Sequence, residues 1–518
     1  MSKRFAVSLI ILVAALGVTL RAWGINRHLL WQDEAESGIY ALQILEAGYP
    51  NAEFHGERLY ENRSFIESAS PKYEYESTNF YGSKFEKNKG WLPHYVIAAS
   101  FKIFGVGTWP ARLPAVVISG LTIFIAYFLA RQFLGKPWAL AVAAFYAINP
   151  IAIYYEQQAR YYSFEILLIS LCLLVYFNFR RAHRRGWLAA LTACLGLLFH
   201  THAVAAVLVG IFFLAHWLGT VGWRAVRRQP MLGWCAAFGL AATVPWMIAV
   251  NYFSIFRYQG LEPYLRIIWL VVLVVVGVVV WGIQRFARTV FHHPITFGLG
   301  SQPAAKFIAT FCVGYTALAP LLLPVESVAE KQFVPLLPLL TVVVVYLFSR
   351  LWVAGVSRRD SIAGLLVFGV FGGAVFAALH VDTLDRSVLY ASDWVAPVLQ
   401  RLRIDPRVEN GLILTDYYQF PLSFYGRVPV QLLYVLRCSY LESFPYAIRY
   451  VVHPVVVPMR SSGPPLHALP YCYRREQDTC RDRLAMLRSC LQTHRECQLQ
   501  TIDAGTEVLA CSPLRRYE

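Results

Sequence analysis

Long apolar runs, set apart by short polar interruptions, dominate the chain. They fall at residues 5–23, 113–133, 138–148, 164–179, 187–199, 203–218, 231–250, 267–281, 307–323, 334–352 and 362–379. Each is close to, or slightly below, the roughly 20 residues that cross a hydrocarbon layer as a helix. The pattern predicts a polytopic α-helical membrane protein with about 11 transmembrane helices. Two regions break it. Residues 24–109 form a long first loop with amphipathic runs at 35–47 and 92–104, which fit helices lying in the interface plane. Between them, residues 51–89 are rich in Glu, Lys, Tyr, Asn and Ser and read as irregular.

The second region is the tail. Residues 411–415 and 449–452 read as buried strands, 478–491 as a helix, and 498–502 with 506–510 as a hairpin around Ala504-Gly505. The expected division is a transmembrane module over 1–380 and a small soluble α/β domain over 381–518.

Composition supports the membrane reading: 57% of the 518 residues are hydrophobic and 15% charged, against about 25% charged in soluble domains. A net charge of +16 suggests nucleic acid, but the basic residues cluster at the ends of apolar blocks, where they orient spans. With the N-terminus inside, the loops holding Arg131 and Lys136, Arg180 to Arg185, Arg224 to Arg228, Arg285 and Arg288, and Arg350 to Arg359 all lie on the cytoplasmic side and are all basic. The opposite loops carry Asp33, Glu34, Glu36, Glu156, Glu262, Glu326 and Glu330. The first block is long for a signal peptide and Leu20-Arg21-Ala22-Trp23 offers no small-x-small cleavage site, so it reads as an uncleaved span. An odd number of spans puts the tail outside. A simple N-terminus and no retention signal point to a bacterial plasma (inner) membrane. Cys438, Cys472, Cys480, Cys490, Cys497 and Cys511 all lie in the tail, an even set that fits disulfides in an oxidising compartment. Their pairing stays open, and buried thiols are the alternative.

The chemistry concentrates in the outer loops. Asp33 and Glu34 follow the first span, where adjacent carboxylates are costly unless solvated or paired. They also suit a helix N-terminus. The next outer loop, residues 150–163, gathers Tyr154, Tyr155, Glu156, Arg160, Tyr161 and Tyr162. Glu156 and Arg160 are four apart, the spacing of an ordinary helical ion pair. Alternatively Arg160 binds a phosphate and Glu156 a sugar hydroxyl, an acceptor or a metal. His200 and His202 share an outer turn, but a zinc site needs three or four ligands and no third is evident. His94 is similarly ambiguous on an amphipathic run. Phosphate-binding glycine loops, Gly-x-Ser-x-Gly and zincin motifs are all lacking from the sequence.

These features, in order, resemble the GT-C superfamily of membrane glycosyltransferases, in particular the branch holding protein O-mannosyltransferases and the aminoarabinose transferase of lipid A. Asp33-Glu34 is similar to its acidic first-loop motif. Gly90-Trp91-Leu92-Pro93-His94-Tyr95 with Phe101 to Gly105 resembles its "HPPLYY…FG" stretch, although Leu92-Pro93 replaces the Pro-Pro pair and the histidine follows it. Arg112-Leu113-Pro114, Ala159-Arg160-Tyr161-Tyr162, Thr201-His202 and Phe333 to Pro338 are similar to its "RLP", "ARxY", "TH" and "YxxPxxP" segments. The resemblance covers residues 1–352.

The resemblance implies a polyprenyl-phosphate sugar donor and transfer with inversion to a lipid, glycan or protein acceptor on the outer face. Asp33 would be the general base and Glu34 its catalytic neighbour. Arg160 would stabilise the phosphate leaving group, with Arg112 and Lys331 as lesser candidates. Glu156, Tyr155, His94 and His202 would bind substrate. No cofactor is implied with certainty. A divalent cation at Glu34 and Glu156 stays open, and metal ligands are unknown. The rival readings are a transporter or flippase of lipid-linked saccharides, which calls for ionisable residues near the midplane, a polysaccharide ligase or polymerase, and a structural or sensor protein.

Overall fold

The computed structural model describes residues 3–50, 90–182, 184–221 and 334–353, with shorter pieces at 53–54, 57–58, 65–67, 75–77, 239–245, 307–308, 311–312, 314–315, 412–415, 419–426, 430–432, 448–452, 489, 497–503 and 506–511. The predicted spans at 267–281 and 362–379, most of 231–250 and 307–323, and the tail helix at 478–491 apart from Ser489 lie outside these residues, as does Lys331.

Within the described residues, the apolar runs become helices. These are α1 (Lys3–Ala22), α4 (Thr108–Ala130), α5 (Lys136–Ala147), α6 (Pro150–Glu156), α7 (Tyr162–Ala182), α8 (Arg185–Phe199), α9 (Ala203–Val221) and α10 (Leu337–Val353). The first loop supplies α2 (Gln32–Ala47) and α3 (Leu92–Phe104), which pack on each other. Among the described residues, four helices are long and apolar enough to cross a membrane, and α5 with α6 makes a fifth bent by 58°. Large apolar side chains such as Phe5, Ile11, Leu12, Val117, Leu121 and Phe128 stay exposed, as a lipid-facing surface requires. Inside, Ile123, Tyr146, Ile166, Cys172, Leu198 and Leu339 share one buried cluster joining α4, α5, α7, α8 and α10.

Two breaks shape the helix ends at Gly48 and Asn149. At Asn149-Pro150 the Asn149 side chain accepts a hydrogen bond from the Ala152 N–H (3.0 Å) and caps a new helix, while Pro150 begins it. So residues 150–156, read from sequence as loop, continue α5 as a bent helical turn. At the end of α2, Gly48 (φ +84°) adopts the left-handed conformation and its N–H bonds the Ile44 carbonyl (2.9 Å). In α2, Glu34, Glu36, Ser37 and Gln43 are all buried.

Within 51–89 the described pieces form two short antiparallel pairs, β1 (Glu53–Phe54) with β2 (Glu57–Arg58) and β3 (Phe65–Glu67) with β4 (Tyr75–Ser77). In the tail, β5 (Leu412–Thr415), β6 (Val430–Leu432), β7 (Ile448–Val452), β8 (Cys497–Asp503) and β9 (Thr506–Cys511) form one sheet in the order β6-β5-β7-β9-β8. β5 runs parallel to β6 and β7; β9 is antiparallel to β7 and β8. A helix, α11 (Gln419–Gly426), links β5 to β6 and packs on α2. Its Tyr425 hydroxyl accepts the Leu30 N–H at 2.8 Å and lies 2.7 Å from Thr108 Oγ1, tying the tail to the first loop.

Candidate active site

The adjoining ends of α1, α2, α4, α6 and α7 carry an unusual density of buried charge: Glu34 and Glu156 each hold one arginine, and Asp33 and Glu36 share a third. Glu34 sits in the first turn of α2 with a fully buried side chain. Arg112 of α4 grips it in two places, Nε to Oε1 at 2.8 Å and Nη2 to Oε2 at 2.6 Å. The remaining Arg112 donors reach the Ile25, His28 and Leu29 carbonyls. Glu34 also accepts the Ala159 N–H at 2.7 Å, which anchors the segment that carries Arg160. A bidentate, fully satisfied pair of this kind holds geometry.

Glu156 is likewise completely buried. Arg21, at the end of α1, donates Nε to its Oε2 at 2.7 Å, and the Tyr146 hydroxyl donates to Oε1 at 2.7 Å. Arg21 spends its other donors on the Gly17, Ala147 and Tyr146 carbonyls. The i,i+4 pairing of Glu156 with Arg160 therefore does not form. α6 stops at Glu156, the chain turns, and the two residues leave in different directions.

Arg160 turns instead to α2. Its Nη2 lies 3.2 Å from Asp33 Oδ2, its Nη1 donates to the Asp33 carbonyl at 2.8 Å, and Glu36 Oε2 is 3.5 Å away. Burial alone would lower its pKa, but the Asp33 and Glu36 carboxylates, with the neighbouring tyrosines, reverse that and raise it, so the guanidinium stays charged. Its Nε is buried without a hydrogen-bond partner. The side chain lines a small cavity with Ser37, Gly90, His94, Tyr161 and Thr201. Asp33 is set apart from the other carboxylates by exposure: its side chain is 30% accessible, against 0% for Glu34 and Glu156 and 1% for Glu36. The doublet Asp33-Glu34 thus splits by about 100° around the helix axis, one carboxylate facing the protein and one facing out.

The other predicted residues distribute unevenly. His94 is buried against Tyr40 (ring centroids 5.1 Å apart) and lines the cavity. Tyr155 packs between Tyr154 and Tyr162 in the core, away from the cavity lining. His200 and His202 do not converge: His200 Nε2 meets the Ala242 carbonyl at 2.8 Å, while His202 Nδ1 meets Glu165 Oε1 at 2.7 Å. Among the described residues no cluster of three His, Cys, Asp or Glu side chains is placed to hold a metal ion. Sequence reasoning passed over Arg21, Glu36 and Glu165. Glu165 carried a usable signal, as a carboxylate inside an apolar block.

The family model for dolichyl-phosphate-mannose-protein mannosyltransferases matches residues 88–249. An undecaprenyl phosphate-alpha-4-amino-4-deoxy-L-arabinose arabinosyl transferase of Pseudomonas aeruginosa is 28% identical over 165 residues, a match spanning 30% of this chain and 30% of that one. Over the whole length, ArnT from Cupriavidus metallidurans bound to undecaprenyl phosphate superposes with a TM-score of 0.56 at 16% identity, covering 97% of both chains. Its apo state gives 0.55 over 98% of both. The chain has the fold of ArnT. The ArnT-like fold thus extends well beyond the stretch of recognisable sequence. The family-model match contains Arg112, Glu156, Arg160, Glu165 and His202, whereas Asp33 and Glu34 precede it.

Proposed function

We propose that this protein transfers a sugar from a polyprenyl-phosphate-linked donor to a lipid, glycan or protein acceptor on the outer membrane face, with inversion at the anomeric carbon. The observation that carries the reading is the pairing of Asp33 with Arg160, which lines the cavity: a buried, permanently charged guanidinium with a free Nε beside the most accessible carboxylate of the cluster. The ArnT-like fold and the match to a mannosyltransferase family supply the substrate class.

The chemistry follows from the partners. Arg160 offers its Nε–Nη2 edge. Nε is unengaged and Nη2 holds Asp33 at a loose 3.2 Å. A phosphate oxyanion arriving at that edge competes for Nη2 with two charge-assisted hydrogen bonds. Asp33 is thereby released from its counter-ion and becomes a stronger base. It takes the proton from the acceptor nucleophile as this attacks the anomeric carbon, and the leaving polyprenyl phosphate keeps its charge against Arg160. Glu34 and Arg112 work behind this, since Glu34 fixes both α2 and the Ala159 N–H. Glu156 acts through Arg21 on the end of α1. His94 and His202 border the substrate, Tyr155 packs in the core against Tyr162, and Lys331 is a further cation for the donor. The transmembrane module takes residues 1–380, the tail 381–518 forms a disulfide-bearing outer domain that shapes the acceptor site, and the N-terminus is cytoplasmic.

The test is release of polyprenyl phosphate from a panel of labelled polyprenyl-phosphate sugars by purified protein, with membrane extract as acceptor. Turnover by wild type, lost in folded Asp33→Asn and Arg160→Ala, supports the assignment. Substrate movement across vesicles without any release moves the protein to the transporter class.

A further inference from the structure

Glu165 has no part in the scheme so far, yet it is expensive to place. It lies in the first turn of α7, within an apolar span, with a side chain 2% exposed. A lone carboxylate at such a position costs free energy unless a cation or hydrogen bonds compensate it. Two groups converge on its Oε1: His202 Nδ1 at 2.7 Å and the Tyr315 hydroxyl at 3.3 Å. The tyrosine contributes no charge. The histidine does so only as an imidazolium, and with Nδ1 spent on the carboxylate its remaining polar atom is Nε2, on a side chain 20% exposed.

The surroundings connect this ring to the cavity. The Tyr161 ring lies against His202, with centroids 5.1 Å apart at 33°, and the Arg160 guanidinium sits over the same Tyr161 ring at 5.6 Å. Tyr161 and Thr201, the immediate neighbour of His202, line the cavity that Arg160 lines. His202 and Arg160 therefore flank one aromatic plate.

We propose that Glu165 is a positioning residue that holds His202 as an imidazolium, so that its Nε2–H completes, with Arg160, a two-sided site for the phosphate of the lipid carrier. The phosphate identity rests on the transferase reading above; the positioning of His202 by Glu165 does not. The protonation agrees with the surroundings. Burial works to lower the His202 pKa, but the Glu165 charge and hydrogen bond overcome it, and the net direction is upward from 6.5. The other titratable groups around the ring among the described residues are Tyr161 and Tyr315, with Arg160 across Tyr161. Burial first, then the Tyr162 and Glu165 charges, push the Tyr161 hydroxyl well above its usual value, so it stays neutral over the range in which histidine titrates.

Two measurements on the purified full chain test this. The first is binding of undecaprenyl phosphate to wild type, Glu165→Gln, Glu165→Asp and His202→Gln as a function of pH. Wild-type binding weakens as pH rises through an inflection above about 6.5. Glu165→Gln moves that inflection down and weakens binding near neutrality by about tenfold or more. Glu165→Asp restores much of both, and His202→Gln removes the inflection. A merely structural Glu165 lowers the melting temperature in Glu165→Gln but leaves the inflection where it was. The second is carbethoxylation of His202 against pH, read by peptide mass spectrometry, which reports its protonation without any ligand. If wild type binds undecaprenyl phosphate and His202→Gln binds it equally well at every pH, the proposal is overturned while the transferase reading stands. If wild type does not bind it at all, the phosphate role falls with that reading. An unshifted carbethoxylation profile in Glu165→Gln overturns the positioning role whatever the ligand.

Discussion

Glu34 stands directly beside the proposed base, and the two should respond to mutation in opposite ways. Replacing Glu34 by Leu removes two acceptors from Arg112 and leaves its guanidinium, 6% exposed, with only the Ile25, His28 and Leu29 carbonyls. It also strips the Ala159 N–H of its partner. Breaking one side of a buried pair costs about 3–5 kcal/mol. For a cooperative unit of about 200 residues that is a fall of about 6–20 °C in apparent melting temperature. Arg112→Leu should cost a similar amount. Glu34→Leu/Arg112→Leu should cost less than the sum by about 2–3 kcal/mol, because no unpaired charge remains. The residual loss reflects the carbonyls and the Ala159 N–H left without partners. The assay is thermal unfolding in one detergent at one scan rate, read by size-exclusion fluorescence, since membrane proteins of this size unfold irreversibly. If Glu34→Leu melts with wild type, or if the two single changes add, the pair does not organise this end of the bundle and the structural role assigned to Glu34 is wrong.

Asp33→Asn, by contrast, should melt close to wild type, because Asp33 is the most exposed carboxylate of the cluster; its turnover should fall by about 10²–10⁴-fold in the release assay, the usual worth of a general base. Loss of folding without a specific loss of turnover would argue against that role. Gly90→Ala should disturb the cavity, since an added Cβ would lie 2.2 Å from the His200 carbonyl oxygen and 2.4 Å from that of Thr201. A lower melting temperature and weaker donor binding are expected, and wild-type behaviour would place the Gly90 backbone elsewhere. The raised His202 pKa makes a stability prediction of defined sign. Its contribution is full below about pH 6.5, the unfolded value, and is lost as pH rises through the higher folded value. The melting-temperature gap between wild type and His202→Gln should therefore narrow with rising pH; a gap that widens would reverse the assignment.

The apolar blocks were legible because membrane burial leaves few alternatives to a helix. The carboxylates and arginines at these helix ends were legible as chemistry, but their pairing was not. Glu156 and Arg160 have the spacing of a helical pair, yet the helix ends between them, and their partners Arg21 and Asp33 are 135 and 127 residues away. Such contacts depend on tertiary packing, which local spacing does not encode. Asp33 and Glu34 look equivalent as a doublet; only the side of α2 that meets α4 decides that Glu34 is locked to Arg112. Glu165 was visible as a lone charge within an apolar run, but its partners His202 and Tyr315, 37 and 150 residues away, were not. In the tail, the runs near 411–415, 449–452, 498–502 and 506–510 correspond to β5, β7, β8 and β9 within a residue or two at most ends, as their apolar and β-branched content suggests. The order β6-β5-β7-β9-β8 and the mixed directions were beyond reach, because they depend on crossovers such as α11.

The central claim is that Arg160 and Asp33 form one working pair on a lipid-linked sugar phosphate. The most direct measurement is single-turnover release of labelled polyprenyl phosphate by wild type, Arg160→Ala, Arg160→Lys and Asp33→Asn, each with donor binding measured in parallel. Arg160→Ala should lose both binding and turnover. Arg160→Lys should recover binding better than turnover, since an ammonium lacks the two-pronged edge, and Asp33→Asn should keep donor binding while losing turnover. Undiminished release by folded Arg160→Ala would contradict the central claim.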